Sequence, residues 1–514
     1  MKKSSIALGV AALMAAGVHA AIVQGNATQI VVNPNGIGHK LIFPYYTVQG
    51  NNATLINIVN HDQLNGKAVK VRFRGAANSD DVYDFTLLMS PGDVWVAAVT
   101  QGADGRAQLF TPDSSCTLPA NVNGSFITGR LDPNSTVSLE EQTREGYVEI
   151  INMADIPKNT ASTSLWTAIK HGSNGKPTNC NAAVVTQLSG DAVANINSVD
   201  GSGQMTSYGL SFPSTGLSGD WIIINQQTTA AWSGSATALE ARNGGAATTA
   251  NFVFFPQSGS GVSSTTASNW SADPLFEKGV VGAAYYDFPD LSTAYLTSTA
   301  LSVSNLNSYA AAASYRNLVA AALAKTVVAN EFVTDSTIDA KTDLVFSQPV
   351  RRYYAAVNYG STATAVYATS SGVYTSNNTA LSNRVLCVRR PTGSSLLSFT
   401  AYDREEATLS PSGAVISPGT PTRFDICGEV AVTSINGQGG AADPSALNGK
   451  LARNDINLGS LIDGWIEFNT ALDTGDRVPG VTGLPIIGNA HLRARNGSVN
   501  YGFTWPHKYN YSNK

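Results

Sequence analysis

The sequence predicts a mainly β protein: two immunoglobulin-like β-sandwich domains carrying short helical insertions. Three observations predict it. Apolar and polar residues alternate with period two over several short runs before residue 245. Turn residues separate those runs at intervals of about ten positions. Short apolar runs of the same kind return after residue 340.

The first element is a secretion signal. Lys2 and Lys3 form its basic start, Ile6 to Gly17 its apolar run, and Val18-His19-Ala20 a small-residue cleavage site. The run is too short to span a bilayer. Residues 1–20 are therefore expected to be removed, with Ala21 as the mature N-terminus. Taking 20 residues from 514 leaves 494, enough for more than one domain. The expected division is an N-terminal β-sandwich domain with a helical insertion over 21–245, and a C-terminal β-rich domain with one longer helix over 246–514.

Strands are expected in chain order from Leu41-Ile42-Phe43 and Leu55 to Val59. In Ala68 to Arg74, Val69, Val71 and Phe73 face one way, and Lys70, Arg72 and Arg74 the other. That reads as a half-buried antiparallel strand. Tyr83, Phe85, Leu87 and Met89 repeat the alternation. Ser90-Pro91-Gly92-Asp93 makes a turn and Val94 to Val99 returns. Short helices are expected over Ser162 to His171 and Ala182 to Leu188. Trp221 to Ile224 is a continuous apolar run, expected as a central strand buried on both faces. The Ala-rich stretch from Asn305 to Lys325 predicts the longest helix. Tyr315, Leu318, Val319, Ala322 and Leu323 share its apolar side. Leu344 to Phe346, Val385 to Val388, Leu397 to Tyr402 and Ile426 to Val432 read as further strands. Leu41 to Tyr46 and Leu344 to Tyr354 echo each other as an apolar strand, a proline and paired tyrosines. The proline is expected to end its ladder.

Charged residues make up only 13% of the chain, against a usual share of about 25%. Hydrophobic content is nevertheless 43%, which excludes a disordered chain. Without Lys2 and Lys3 the formal charge falls from −4 to −6, and no long basic run exists. Nucleic acid is not an expected partner, because neutralising phosphates needs clustered Lys and Arg. No later apolar stretch is long enough for a transmembrane helix. Cys116, Cys180, Cys387 and Cys427 are read as disulfides, since the chain is exported and their number is even. Three pairings are possible, and sequence proximity favours Cys116–Cys180 and Cys387–Cys427.

Several segments resemble a largely uncharacterised family of exported proteobacterial proteins. They are Leu41 to Val48, Val69 to Arg74, Leu87 to Val96, Asn330-Glu331-Phe332-Val333 and Tyr402-Asp403-Arg404-Glu405-Glu406. The resemblance implies a β-rich protein of the cell envelope or the exterior. It brings no catalytic residues.

The residues themselves point to no chemistry. His39, His61, His171, His491 and His507 show no metal-binding spacing, and each is expected at the surface or in a hydrogen bond. Gly437 to Ala442 matches a dinucleotide fingerprint, but Asp443-Pro444 follows where a helix must run, so a loop is expected. Asp403, Glu405 and Glu406 read as a solvated strand end beside Arg404, and Asp473-Thr474-Gly475-Asp476 as a turn. No cofactor, metal or catalytic residue is expected.

Aromatic pairs remain. Tyr45, Tyr46, Tyr353, Tyr354, Tyr285 and Tyr286 are read as core. Tyr501, Phe503, Trp505, Tyr509 and Tyr511 fall on odd positions, which puts most of these rings on one face of an extended strand. That strand either completes its own sheet or associates with a neighbour. The expected function is an exported structural or cell-surface protein that self-associates or coats the envelope. Its partners would be itself or envelope components. The alternative is an extracellular module that binds glycan or another insoluble ligand.

Overall fold

The computed structural model describes residues 26–189, 202–250, 252, 310–359, 361–367, 372–406, 408–409, 424–436, 444–451 and 453–509. The signal segment, Tyr285, Tyr286, Gly437 to Ala442 and Tyr511 lie outside them. Strands account for 48% and helices for 10%, so the protein is mainly β.

The first strands are β1 Gln29–Val32, β2 Lys40–Thr47, β3 Asn52–Asn60, β4 Gly66–Gly75, β5 Asp81–Met89, β6 Val94–Gln101 and β7 Ala107–Phe110. Next come β8 Cys116–Leu118, β9 Gly124–Ser125, β10 Glu145–Ile156, β11 Leu217–Asn225, β12 Ala231–Ser235, β13 Thr237–Asn243 and β14 Ala246–Ala247. They form an eight-stranded sheet, β1-β13-β2-β10-β4-β5-β8 with β14 on β13, and a six-stranded sheet, β12-β11-β3-β6-β7-β9. Every pairing is antiparallel. The sheets face each other through alternate residues; the Phe85 and Trp95 rings meet across the gap at 5.6 Å. An immunoglobulin domain has about seven to nine strands, so this pair is larger than that plan.

Three local expectations change. Lys70, Arg72 and Arg74 alternate with the apolar residues of β4 as read, yet every residue of β4 and β10 is buried. The first half's helical layer covers one end of the face that would otherwise meet water, around Ala68 and Leu88, and the second half covers the other, where Arg352 reaches Glu149. β11 behaves the opposite way. It is central in its sheet but alternates, with Trp221 and Ile223 buried and Ile222 exposed. Pro44 does not end its ladder. It lies inside β2, where the pairing with β10 shifts between Gly146 and Val148, so a bulge absorbs the missing donor. Gly146 is needed there: a Cβ would sit 1.7 Å from the Arg74 carbonyl oxygen.

The predicted short helices are shorter than read, Leu165–Ile169 and Ala183–Thr186. The Ser164 hydroxyl caps the first by accepting from the Thr167 amide at 3.1 Å. Leu165, Ile169, Val185 and Leu188 form a separate apolar cluster with Met153 and Ile156 of β10. Cys116–Cys180 ties this layer to the eight-stranded sheet.

The second half contains β15 Ala324–Lys325, β16 Val327–Val333, β17 Lys341–Ser347, β18 Ala355–Tyr359, β19 Ala363–Tyr367, β20 Thr379–Ser382, β21 Val385–Val388 and β22 Phe399–Tyr402. It continues with β23 Thr408–Leu409, β24 Ile426–Cys427, β25 Val430–Asn436, β26 Arg453–Asn457, β27 Asp463–Asn469, β28 Leu484–Pro485, β29 Asn489–Asn496, β30 Val499–Pro506 and β31 Lys508–Tyr509. Two five-stranded sheets, β23-β22-β27-β16-β31 and β26-β25-β17-β29-β30, pack through Phe346 and Phe468 at 5.2 Å. The β25–β26 pair is parallel. Cys387 and Cys427 stand directly opposite each other on β21 and β24 and are bonded. The long helix spans Ala310–Leu323, with Val319, Ala320 and Leu323 buried.

The two halves share one continuous apolar core. Backbone and side-chain hydrogen bonds cross between them. Glu429 N donates to Ala76 O at 2.7 Å, Asn52 Nδ2 to Leu447 O at 2.7 Å, and Arg384 is bidentate on Asp132 at 2.6 and 2.8 Å. Tyr45, Tyr46, Tyr353 and Tyr354 all belong to this core.

The disulfides close loops of 64 and 40 residues. Replacing both Cys116 and Cys180 by alanine is expected to cost about 4 kcal/mol. Denaturant unfolding of the oxidised protein and the double variant measures it; equal midpoints would contradict the expectation.

Candidate functional site

Asp403, Glu405 and Glu406 sit on an exposed turn, where Arg404 pairs with Asp463 at 3.1 Å and Glu405 at 3.8 Å. Thr474–Asp476 is a single 3-10 turn, and buried Asp476 accepts from Asn377 at 2.9 Å. Among the described residues no three His, Cys, Asp or Glu side chains group to hold a metal.

Four histidines are hydrogen-bonded as expected, His61 to Ser218 and His171 to Ser90 among them, and His491 departs from the expectation. His39, His491 and His507 are buried. His39 Nε2 donates to Thr248 O at 2.9 Å and Nδ1 accepts from Ala241 N at 3.2 Å. His507 is held likewise between Val345 O and the Asn330 amide, both at 2.9 Å. Neither His491 nitrogen is hydrogen-bonded among the described residues. Its ring stands 5.6 Å from that of Trp221.

The densest charge cluster is interior. Glu149 on β10 lies directly opposite Arg72 on β4, and Arg72 directly opposite Asp84 on β5. Lys40, Arg74 and Arg352 all reach Glu149, at 2.9, 3.4 and 3.5 Å respectively. Lys70 pairs with Asp84. Burial pushes the Glu149 carboxyl up, but Lys40, Arg352, Arg74 and Arg72 outweigh it and hold it well below the carboxylate range. Asp84 is held low against burial in the same way by Lys70 and Arg72. Arg351 bonds Glu429 at 3.0 Å, and there burial prevails and raises the carboxyl. Arg352 on Glu149, and Arg351 on the Ala77 carbonyl oxygen at 3.2 Å, place the cluster at the seam between the halves.

Outward, the six-stranded sheet presents an apolar face. Ile222, Leu55, Ala98 and Phe110 stand directly opposite one another on β11, β3, β6 and β7. Val96 and Val94 extend the patch on β6 beside Asn57 and Val59. Ile222, Leu55, Val94, Val96 and Phe110 are each between 37% and 54% exposed. An antiparallel sheet that ends in water usually carries polar residues there. The only carboxylate in these rows, Asp220, already accepts from Ser235 at 2.5 Å. Sequence reading missed this face because a strand apolar on both sides was taken as buried on both sides.

The C-terminal aromatics divide. β30 pairs with β29 along its whole length. Tyr501 and Phe503 are exposed on it and Trp505 is half-buried. Tyr509 lies on β31 in the other sheet, half-buried, with Lys325 Nζ 4.9 Å from its ring centre. The outer edge of β30 meets the edge of β12. Ser233 N donates to Thr504 Oγ1 at 3.2 Å, Trp232 Nε1 to Leu492 O at 2.8 Å, and a Cβ on Gly502 would lie 2.1 Å from Ala231 O. A cleft of about 380 Å³ opens beside this junction.

Two expectations follow. Glu149→Gln leaves buried cations without their countercharge and should cost about 3–5 kcal/mol in denaturant unfolding; a loss below about 1 kcal/mol would mean the cluster is not a charge-balanced unit. For His491, burial, and then the nearby His507, lowers the folded-state pKa to about 3, against 6.5 unperturbed. The unfolded chain alone gains that proton, so stability is full above pH 6.5 and falls as pH drops toward 3. His491→Leu should flatten this dependence by about 1.4 kcal/mol per pH unit between pH 6.5 and 4. Unfolding curves at two pH values decide it, and an unchanged difference between them would refute the assignment.

No family model, characterised protein or solved structure matches the chain.

Proposed function

We propose that this is an exported, non-enzymatic envelope or cell-surface protein that associates with copies of itself through the outer face of its six-stranded sheet. One observation carries the reading: the exposed cross-strand row Ile222–Leu55–Ala98–Phe110 with Val94 and Val96 beside it. Contiguous apolar surface of this kind marks interaction sites. A second copy is the occupant that the electrostatics favour. The face has one carboxylate, already bonded within its own molecule, so two such faces meet without like-charge repulsion. The signal segment, the paired cysteines and the resemblance to exported proteobacterial proteins support the location. The small charged share of the chain supports close contact between copies.

The double variant Ile222→Lys with Leu55→Lys tests it. Both positions point outward, so the fold should survive, with an unchanged circular dichroism spectrum. Burying each side chain supplies roughly 1.5–3 kcal/mol, so association should weaken at least about tenfold. Light scattering behind size exclusion reads the mass. A wild-type protein that stays monomeric when concentrated, or a double variant that associates equally well, rejects the proposal.

A further inference from the structure

The cleft beside the β12–β30 junction is built from both halves of the chain. Pro44 and Thr237 come from the first half with the β12 hydroxyls; Asn489, Pro506 and Tyr509 come from the second. Its volume of about 380 Å³ lies within the range of small-molecule sites.

Its chemistry is uniform. Among the described residues no Lys, Arg, Asp or Glu lines it. His507 has both ring nitrogens engaged inside the protein, and the Tyr509 hydroxyl donates to Gly488 O at 3.5 Å. An anion would find no cation and a metal ion no carboxylate. A purely apolar ligand would strip water from hydroxyl and amide groups without replacing its hydrogen bonds. Those groups are available. The Ser233 and Thr237 hydroxyls and the Asn489 side-chain amide line the space, and none of them is hydrogen-bonded to another described residue. Thr504 Oγ1 accepts from Ser233 N, which fixes the β30 side of the opening against the β12 side. The rings of Pro44, Pro506 and Tyr509 supply apolar surface between these polar groups.

We infer that this cleft binds a neutral, polyhydroxylated ligand, one sugar residue of an uncharged glycan. Such a ligand has hydroxyls that both donate and accept, which matches Ser233, Thr237 and the Asn489 amide. Its C–H faces match the proline rings and Tyr509. The site adjoins the end of the apolar sheet face, since Ser233 stands directly opposite Ile222, but shares none of its apolar residues. Its walls are strands and a strand end already held by pairing, so little ordering is needed on binding.

Titration calorimetry of the full mature protein with cellotriose, maltotriose, mannotriose and chitotriose tests this, with phosphate and sulfate ions as charged controls. At least one neutral oligosaccharide should bind, and the two ions should not compete. Thr237→Val removes a hydroxyl at constant shape, and Asn489→Ala removes the amide. Each should weaken binding about tenfold, with the melting temperature showing that both variants fold. A Val94→Lys, Phe110→Lys protein, altered on β6 and β7 away from β12, should bind the sugar as the wild type does, which separates this site from self-association. No binding of any of the four oligosaccharides, displacement by phosphate or sulfate, or equal affinity in both cleft variants overturns the inference.

Discussion

The ionic row Glu149–Arg72–Asp84, buried except at the half-buried Asp84, is the constraint on which the rest of the architecture depends. Three adjacent strands place these charges on one face of the eight-stranded sheet, away from the core it shares with the six-stranded sheet. Left in water, such a face would make the first half an ordinary two-layer sandwich. Once covered, each charge needs a partner, because an unpaired buried ion costs several kcal/mol. The second half supplies part of the cover and part of the pairing. Arg352 reaches Glu149, and the neighbouring Arg351 binds Glu429, whose amide bonds Ala76 in the first half. The halves are therefore locked by charge geometry as well as by apolar contact. A shifted docking would leave several ions unmatched at once.

This explains what was legible in the sequence. The period-two pattern of Val69, Val71 and Phe73 against Lys70, Arg72 and Arg74 fixes which residues share a face, and the structure keeps that division. It does not say what the second face meets, because alternation is a local property and coverage is a tertiary one. The same limit misplaced Ile222 in the other direction. An apolar run shows that both faces of a strand avoid charge, not that both are enclosed. The disulfide partners were readable because the four cysteines fall into two pairs that are near in the chain. The cleft was not readable. Thr237 and Asn489 are 252 positions apart in the chain, and nothing in either neighbourhood marks it.

The two surfaces invert the common arrangement. Charges are scarce overall, and many of those present are inside, on β4, β5 and β10. The outer face of the six-stranded sheet carries Leu, Val, Ile and Phe instead. Interior ion pairs contribute little net stability compared with well-packed apolar residues. Their value here is specificity: they allow one registration of the halves. Moving charge inward also removes it from the exterior, where it would oppose close contact between copies.

Edge protection connects the remaining features. An open sheet edge invites pairing with other chains, and both β12 and β30 are edges of their own sheets. The fold brings them against each other without forming a ladder; Gly502 allows the approach and Thr504 takes the Ser233 amide. The two edges are not joined by a ladder along their whole length. Beside their junction a cleft opens, lined by whatever the edge strands and their neighbours carry. In this chain those positions carry hydroxyls, an amide, prolines and a tyrosine rather than charges. The geometry that closes two hazardous edges thus also creates the space between the halves, and the low-charge composition determines what kind of molecule that space can hold.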